Sequence, residues 1–199
     1  MKKNVSDNRS TRRTRAAIQT ALLSLMRHKR VGKITVHEII DEANVCRTTF
    51  YAHYHDIYDL VEAIGNEIIA EVGEGLDSLS EVPVRVAGEY PTIVSVVRLY
   101  AQHADTIRLL NGPNGDPTFD RRLQDRIYEA TRALREVKDG PNFHAERHLL
   151  YSCYVISGGI SVLNRLLEDG RDWDPEAVGH VLGEMAATGE RVFLKLPEQ

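Results

Sequence analysis

The chain has 199 residues, 42% hydrophobic and 27% charged, with a formal net charge of −4. That is the ordinary balance of a globular protein long enough to bury a real core. Its two cysteines, Cys46 and Cys153, exclude a disulfide framework and favour a reducing compartment.

No run approaches the roughly 18 apolar residues of a membrane span, and the opening residues lack the apolar stretch of a signal peptide. A cytoplasmic location with no membrane partner is therefore expected. Charge is unevenly placed. Residues 1–55 hold 11 basic and 4 acidic side chains, a net +7, while the remainder carries −11. A basic segment joined to an acidic one suits either a polyanion partner for the first part alone or a solvated basic tail.

Helical periodicity dominates, and nothing alternates long enough to make a strand. After a polar lead expected to be disordered, Ser10 or Thr11 can cap a first helix whose apolar face is Ile18, Ala21, Leu22 and Leu25. Val31-Gly32-Lys33 reads as a turn. Thr35-Val36-His37-Glu38 has the capping-box form, and Ile39, Ile40 and Ala43 then face inward over two turns. Asn44 tolerates the left-handed backbone of a sharp turn, and a second short helix follows over about Arg47 to Tyr54. The pair forms a helix-turn-helix.

A fourth helix starts at Asp56 as N-cap and runs to about Val72, with Ile57, Leu60, Val61 and Ile64 apolar. The stretch from Gly73 to Pro91 is rich in Gly, Pro and acids and is expected to hold the domain boundary. Helices then follow over about Thr92–His103 and Asp105–Leu110, the second ending in Asn-Gly-Pro-Asn-Gly. Asp116-Pro117 opens another, with Phe119, Leu123, Ile127 and Ala130 inward. The next carries a narrow stripe from Leu149 through Cys153, Ile156, Ile160 and Leu163 to Leu167, as expected for a seam against another helix. Gly158-Gly159 within it implies close packing or a bend. Asp174-Pro175-Glu176 starts the last helix, whose Gly179, Gly183, Ala186 and Gly189 would let another backbone come close.

The segment ITVHEIIDEANVCRTTFYAHYHDIYDLVEAI resembles the signature of the TetR/AcrR family of one-component transcriptional regulators, through Thr35, Ile39, Ala43, Val45, Thr49, Tyr51, His53, Tyr54, Asp56 and Leu60. The match covers about residues 10–70; beyond it the agreement is in length and helical character. The sequence departs from the signature at Ile40 for Ala, Asn44 for Gly, Cys46 for the capping Ser, and Ile57 for a Lys suited to phosphate.

The resemblance implies an all-α protein: a three-helix helix-turn-helix DNA-binding domain at 10–55, a connecting helix at 56–72, and a helical ligand-binding and dimerisation domain at 73–199. It implies a homodimeric repressor that binds a near-palindromic double-stranded DNA operator and is released by a small-molecule effector. The rival reading is a coactivator or adaptor of the same fold that binds a protein partner. By position, Arg47, Thr48, Thr49, Tyr51 and His53 face the duplex. Arg47 suits bidentate pairing with guanine, and Tyr51 and Thr35 suit phosphate oxygens. Arg12 and Arg13, with Arg15, form a basic arm for phosphates or the minor groove.

Effector-pocket candidates are Tyr100, His103, Phe119, Arg126 and Tyr154, which interrupt inward faces with polar or aromatic tips. His53-x-His55 has no nearby cysteine or carboxylate pair to complete a metal site, so neither metal nor cofactor is expected. Cys46 has two readings, an oxidant-sensing thiol or a small residue at a helix cap. No nucleophile elbow, phosphate loop or Ser/His/Asp spacing points to an enzyme.

Overall fold

A computed structural model describes residues 9–78, 90–170 and 172–193. The described residues form nine α-helices and no strand: α1 (Arg9–Met26), α2 (Val36–Ala43), α3 (Arg47–His53), α4 (Ile57–Ser78), α5 (Pro91–Gln102), α6 (Ala104–Asn111), α7 (Phe119–Asp139), α8 (Ala145–Asp169) and α9 (Pro175–Phe193). The polar lead before Arg9 and most of the expected boundary segment, residues 79–89, lie outside the described residues.

The chain divides into two compact units. The first runs through Glu67 and takes in Leu109–Phe119; the second comprises Ile68–Arg108 and the chain from Asp120 onward. Helix α4 thus begins in one unit and ends in the other.

In the first unit α1 packs on α2, and α2 on α3. Ile18, Leu22 and Met26 of α1, Ile39 of α2, Phe50 of α3 and Leu60 of α4 are almost wholly buried. Each removes an apolar side chain from water, which stabilises by about 1.5–3 kcal/mol per residue. The Asn-Gly-Pro-Asn-Gly loop belongs to this unit. Val31 donates its backbone N–H to the Asn114 carbonyl at 3.2 Å, and Asp116 N–H closes the loop on the Leu110 carbonyl at 2.7 Å. Asp116 does not cap α7 directly. Its carboxylate accepts from Thr118 N–H at 2.8 Å, and the helix starts at Phe119.

Helix α4 continues to Ser78, past the Val72 end that its glycines had suggested. A Cβ on Gly73 would lie 2.5 Å from the Arg126 guanidinium, and that guanidinium donates to Asp77 at 2.7 Å. The glycine admits Arg126 across the helix without ending it.

In the second unit α5 packs most extensively on α9. The small residues of α9 serve this contact inside the chain. A Cβ on Gly179 would meet the Val94 backbone at 2.9 Å, and one on Gly183 would meet the Tyr90 ring at 2.1 Å. The stripe on α8 divides: Ile160, Leu163 and Leu167 are buried, whereas Leu149 and Cys153 are exposed. Gly158 and Gly159 face open space rather than a closely packed neighbour, with no described atom within 4 Å of an added Cβ.

Candidate nucleic-acid interface and ligand cavity

The helix-turn-helix is built by local chemistry. Thr35 Oγ1 accepts from Glu38 N–H at 3.3 Å, and Glu38 Oε2 accepts from Thr35 N–H at 3.0 Å, completing the capping box of α2. Lys29 closes an ion pair on Glu38. These donors, Lys29 first and then the Thr35 backbone and hydroxyl, lower the Glu38 pKa to about 2. Asn44 ends α2 in the left-handed region at φ 52, ψ 49, the one non-glycine with positive φ among the described residues. Its short polar side chain makes that conformation accessible. Val45 N–H then bonds the Ile40 carbonyl at 3.0 Å and turns the chain into α3.

One face of α3 is fixed by Phe50, which is fully buried, with its ring edge-on to Tyr51 at 5.4 Å and tilted against Tyr54 at 6.0 Å. The other face is free: Arg47, Thr48, Tyr51 and Ala52 are exposed, and Thr49 and His53 are half-buried. The Arg47 guanidinium sits 5.5 Å from the centre of the Tyr51 ring, so the two largest outward groups brace each other.

Cys46 is the N-cap of α3 but makes no capping bond to its backbone. Its sulfur lies 3.1 Å from Thr48 Oγ1 and 2.9 Å from Thr49 Oγ1. These hydroxyls, Thr48 first, lower the thiol pKa from 9.0 to about 7. Arg12 and Arg13 are exposed on α1. Arg15, by contrast, is paired with Glu67 at 2.7 Å, and Gln19 joins the same carboxylate at 3.0 Å, so it braces α1 on α4. Asp56 caps α4 by accepting from Asp59 N–H at 2.9 Å. Among the described residues no group of three or more His, Cys, Asp or Glu lies together as a metal site.

The second unit contains an open cavity of about 770 Å³ between α5, α7, α8 and α9. Of the five pocket candidates, only Tyr154 borders it. Tyr100 is buried and donates to Asn164 Oδ1. His103 Nε2 is 2.8 Å from Glu71 Oε2, and Arg126 is held by Asp77. Phe119 is buried in the first unit. Four polar residues of the lining, Thr131 and Arg135 of α7 and His148 and Ser152 of α8, are absent from the candidates that the sequence offers. Each pair is spaced by four, which puts its members on one helix face but does not place that face at a cavity.

No family model matches the chain. It is 26% identical over 169 residues to YxbF of Bacillus subtilis (strain 168), an uncharacterized HTH-type transcriptional regulator. That alignment covers 83% of this chain and 42% of YxbF, so the chain spans under half the length of that relative. Among solved structures it is similar to a TetR transcriptional regulator from Streptococcus agalactiae 2603V, with TM-score 0.61, 21% identity, and 90% of this chain and 97% of the other covered. It is also similar to native NalD, the secondary repressor of the MexAB-OprM multidrug efflux pump in Pseudomonas aeruginosa, with TM-score 0.65, 19% identity and coverage of 89% and 96%.

The chain has the TetR-regulator fold. No described helix is long and apolar enough to cross a membrane.

Proposed function

We propose that this chain is a ligand-responsive DNA-binding transcriptional regulator, acting as a homodimeric repressor on a near-palindromic operator. The observation that carries this reading is the outward face of α3, with Arg47 and Tyr51 braced on a buried Phe50. An exposed guanidinium on a short helix suits bidentate contact with guanine O6 and N7 in the major groove. Tyr51, Thr48 and His53 suit phosphate or base edges, Arg12 and Arg13 suit phosphates, and Thr35 is exposed at the start of α2.

The dimer is supported by apolar side chains left open on the body. Leu149 and Leu150 are exposed on α8 and Val181 on α9, all three outside the cavity lining. Packing these side chains from two copies would bury apolar surface on both. Two heads on one face of a duplex would then meet successive major grooves, about 34 Å apart. An effector that favours one body conformation shifts the population of dimers whose heads fit that spacing. The chain crosses between its units within α4 and on either side of Leu109–Phe119, and these are the covalent routes for that coupling.

Low-salt capture of fragmented genomic DNA on the immobilised protein, followed by sequencing, tests the reading. The expected result is enrichment of a few fragments sharing an inverted repeat. Enrichment of none, with a protein partner captured instead, would support the adaptor reading.

A further inference from the structure

The chemistry of the body cavity points to the class of molecule it holds. Its walls are mostly apolar, with Val96, Ile127, Ile156 and Leu182 contributed by α5, α7, α8 and α9. Most polar groups on its lining are already engaged within the protein. Arg135 and Glu190 form an ion pair with each other, and Arg135 also lies 3.9 Å from Asp139. Tyr151 donates to the Ala186 carbonyl at 2.6 Å, and Thr131 Oγ1 donates back to the Ile127 carbonyl at 3.0 Å. Glu184, the remaining carboxylate of the lining, is exposed.

Ser152 and His148 are bonded to each other. Ser152 is 5% exposed, and its Oγ lies 3.2 Å from His148 Nε2. Tyr128 and Phe143 flank the imidazole at 5.6 and 5.5 Å. Burial, then the Arg135 and Arg132 charges, lowers the His148 pKa against the opposing pull of Asp139 and Glu136, so the ring is neutral at neutral pH. A serine hydroxyl and a neutral imidazole that share one hydrogen bond keep one donor and further acceptors for a guest. An anion in this cavity would have to compete with Glu190 for Arg135, and a cation would have to compete with Arg135 for Glu190 or pair with Glu184, whose exposure to solvent makes such a pair worth little. Breaking one side of a partly buried ion pair is costly in either case.

We propose that the cavity binds an uncharged, largely apolar molecule carrying one hydroxyl or carbonyl, held by Ser152 and His148. The regulatory consequence rests on the ligand-responsive reading above; the binding does not.

A matched set of fluorescent probes tests it on the full chain: pyrene, 1-pyrenemethanol, 1-pyrenecarboxylate and 1-pyrenemethylammonium, each titrated by its emission. 1-Pyrenemethanol is expected to bind at least about 10-fold tighter than either charged probe and about 3- to 10-fold tighter than pyrene, the span of one hydrogen bond. Ser152→Ala should reduce its affinity to that of pyrene and leave pyrene itself unchanged, with far-UV circular dichroism confirming the fold. Preference for a charged probe overturns the proposal. So does the absence of saturable binding by all four, the result expected if a second copy fills the cavity. A parallel gel shift separates the two readings: binding without DNA release supports the site and counts against ligand control of DNA binding.

Discussion

Tyr54 shows how a single atom can be out of register with its surroundings. Its ring is buried beside Phe50, but its hydroxyl is buried with no hydrogen-bond partner among the described residues. A buried polar group without a partner costs about 1–3 kcal/mol. Tyr54→Phe keeps the ring and removes the orphan, so it should raise the melting temperature by a few degrees, equivalent to about 1 kcal/mol. A lower melting temperature would show that the hydroxyl is satisfied in solution. At Cys46 the depressed pKa favours thiolate in the folded chain. The folded state therefore binds fewer protons than the unfolded one between pH 7 and 9, and this group contributes stability that is present at high pH and lost as pH falls through about 7. Iodoacetamide alkylation of Cys46 should reach half its maximal rate near pH 7, and Thr48→Val should move that midpoint upward. A midpoint near 9 in both proteins would remove the role given to the threonine hydroxyls. Residues of this kind were legible in the sequence where their partners are close by. Thr35 with Glu38, Asn44, and Asp56 with Asp59 each act within four positions. Ser152 and His148 were not legible as a site, because their setting depends on α7 and α9, brought together only by the fold.

At the scale of elements, the glycines divide by what faces them. Gly159 sits within α8 with nothing within 4 Å of an added Cβ, so Gly159→Ala should stabilise by about 1 kcal/mol through helix propensity alone. Gly183 lies against the Tyr90 ring, and Gly183→Ala should destabilise by about 1–3 kcal/mol through overpacking. Thermal melts of the two variants should therefore move in opposite directions; parallel shifts would contradict the α5–α9 packing. The same contrast explains what helical periodicity could and could not give. The inward face of α7, Phe119, Leu123, Ile127 and Ala130, was readable and is buried as expected. The small face of α9 was readable as a close approach, but not as one to α5. Gly73 read as a helix stop because nothing local announces Arg126, 53 positions on, lying across it.

For the whole molecule, the central physical feature is a basic head on an acidic body. Net charge of +7 over residues 1–55 predicts attraction to phosphates that salt screens strongly. Since Arg12 and Arg13 are exposed and Arg15 is held by Glu67, replacing Arg12 and Arg13 by Gln should lower the slope of log affinity against log salt by up to about 2 units. Replacing Arg15 should act chiefly on stability. An unchanged slope in the first variant would place the arm away from the duplex. The claim on which the functional account turns is that α3 reads DNA through Arg47. The direct measurement is a fluorescence-anisotropy titration of the enriched genomic fragment with the native chain and with Arg47→Ala at matched salt. The account predicts a loss of about 10- to 100-fold for the variant on that fragment, and little change on unrelated DNA. Equal affinities of the two proteins for the enriched fragment would contradict it.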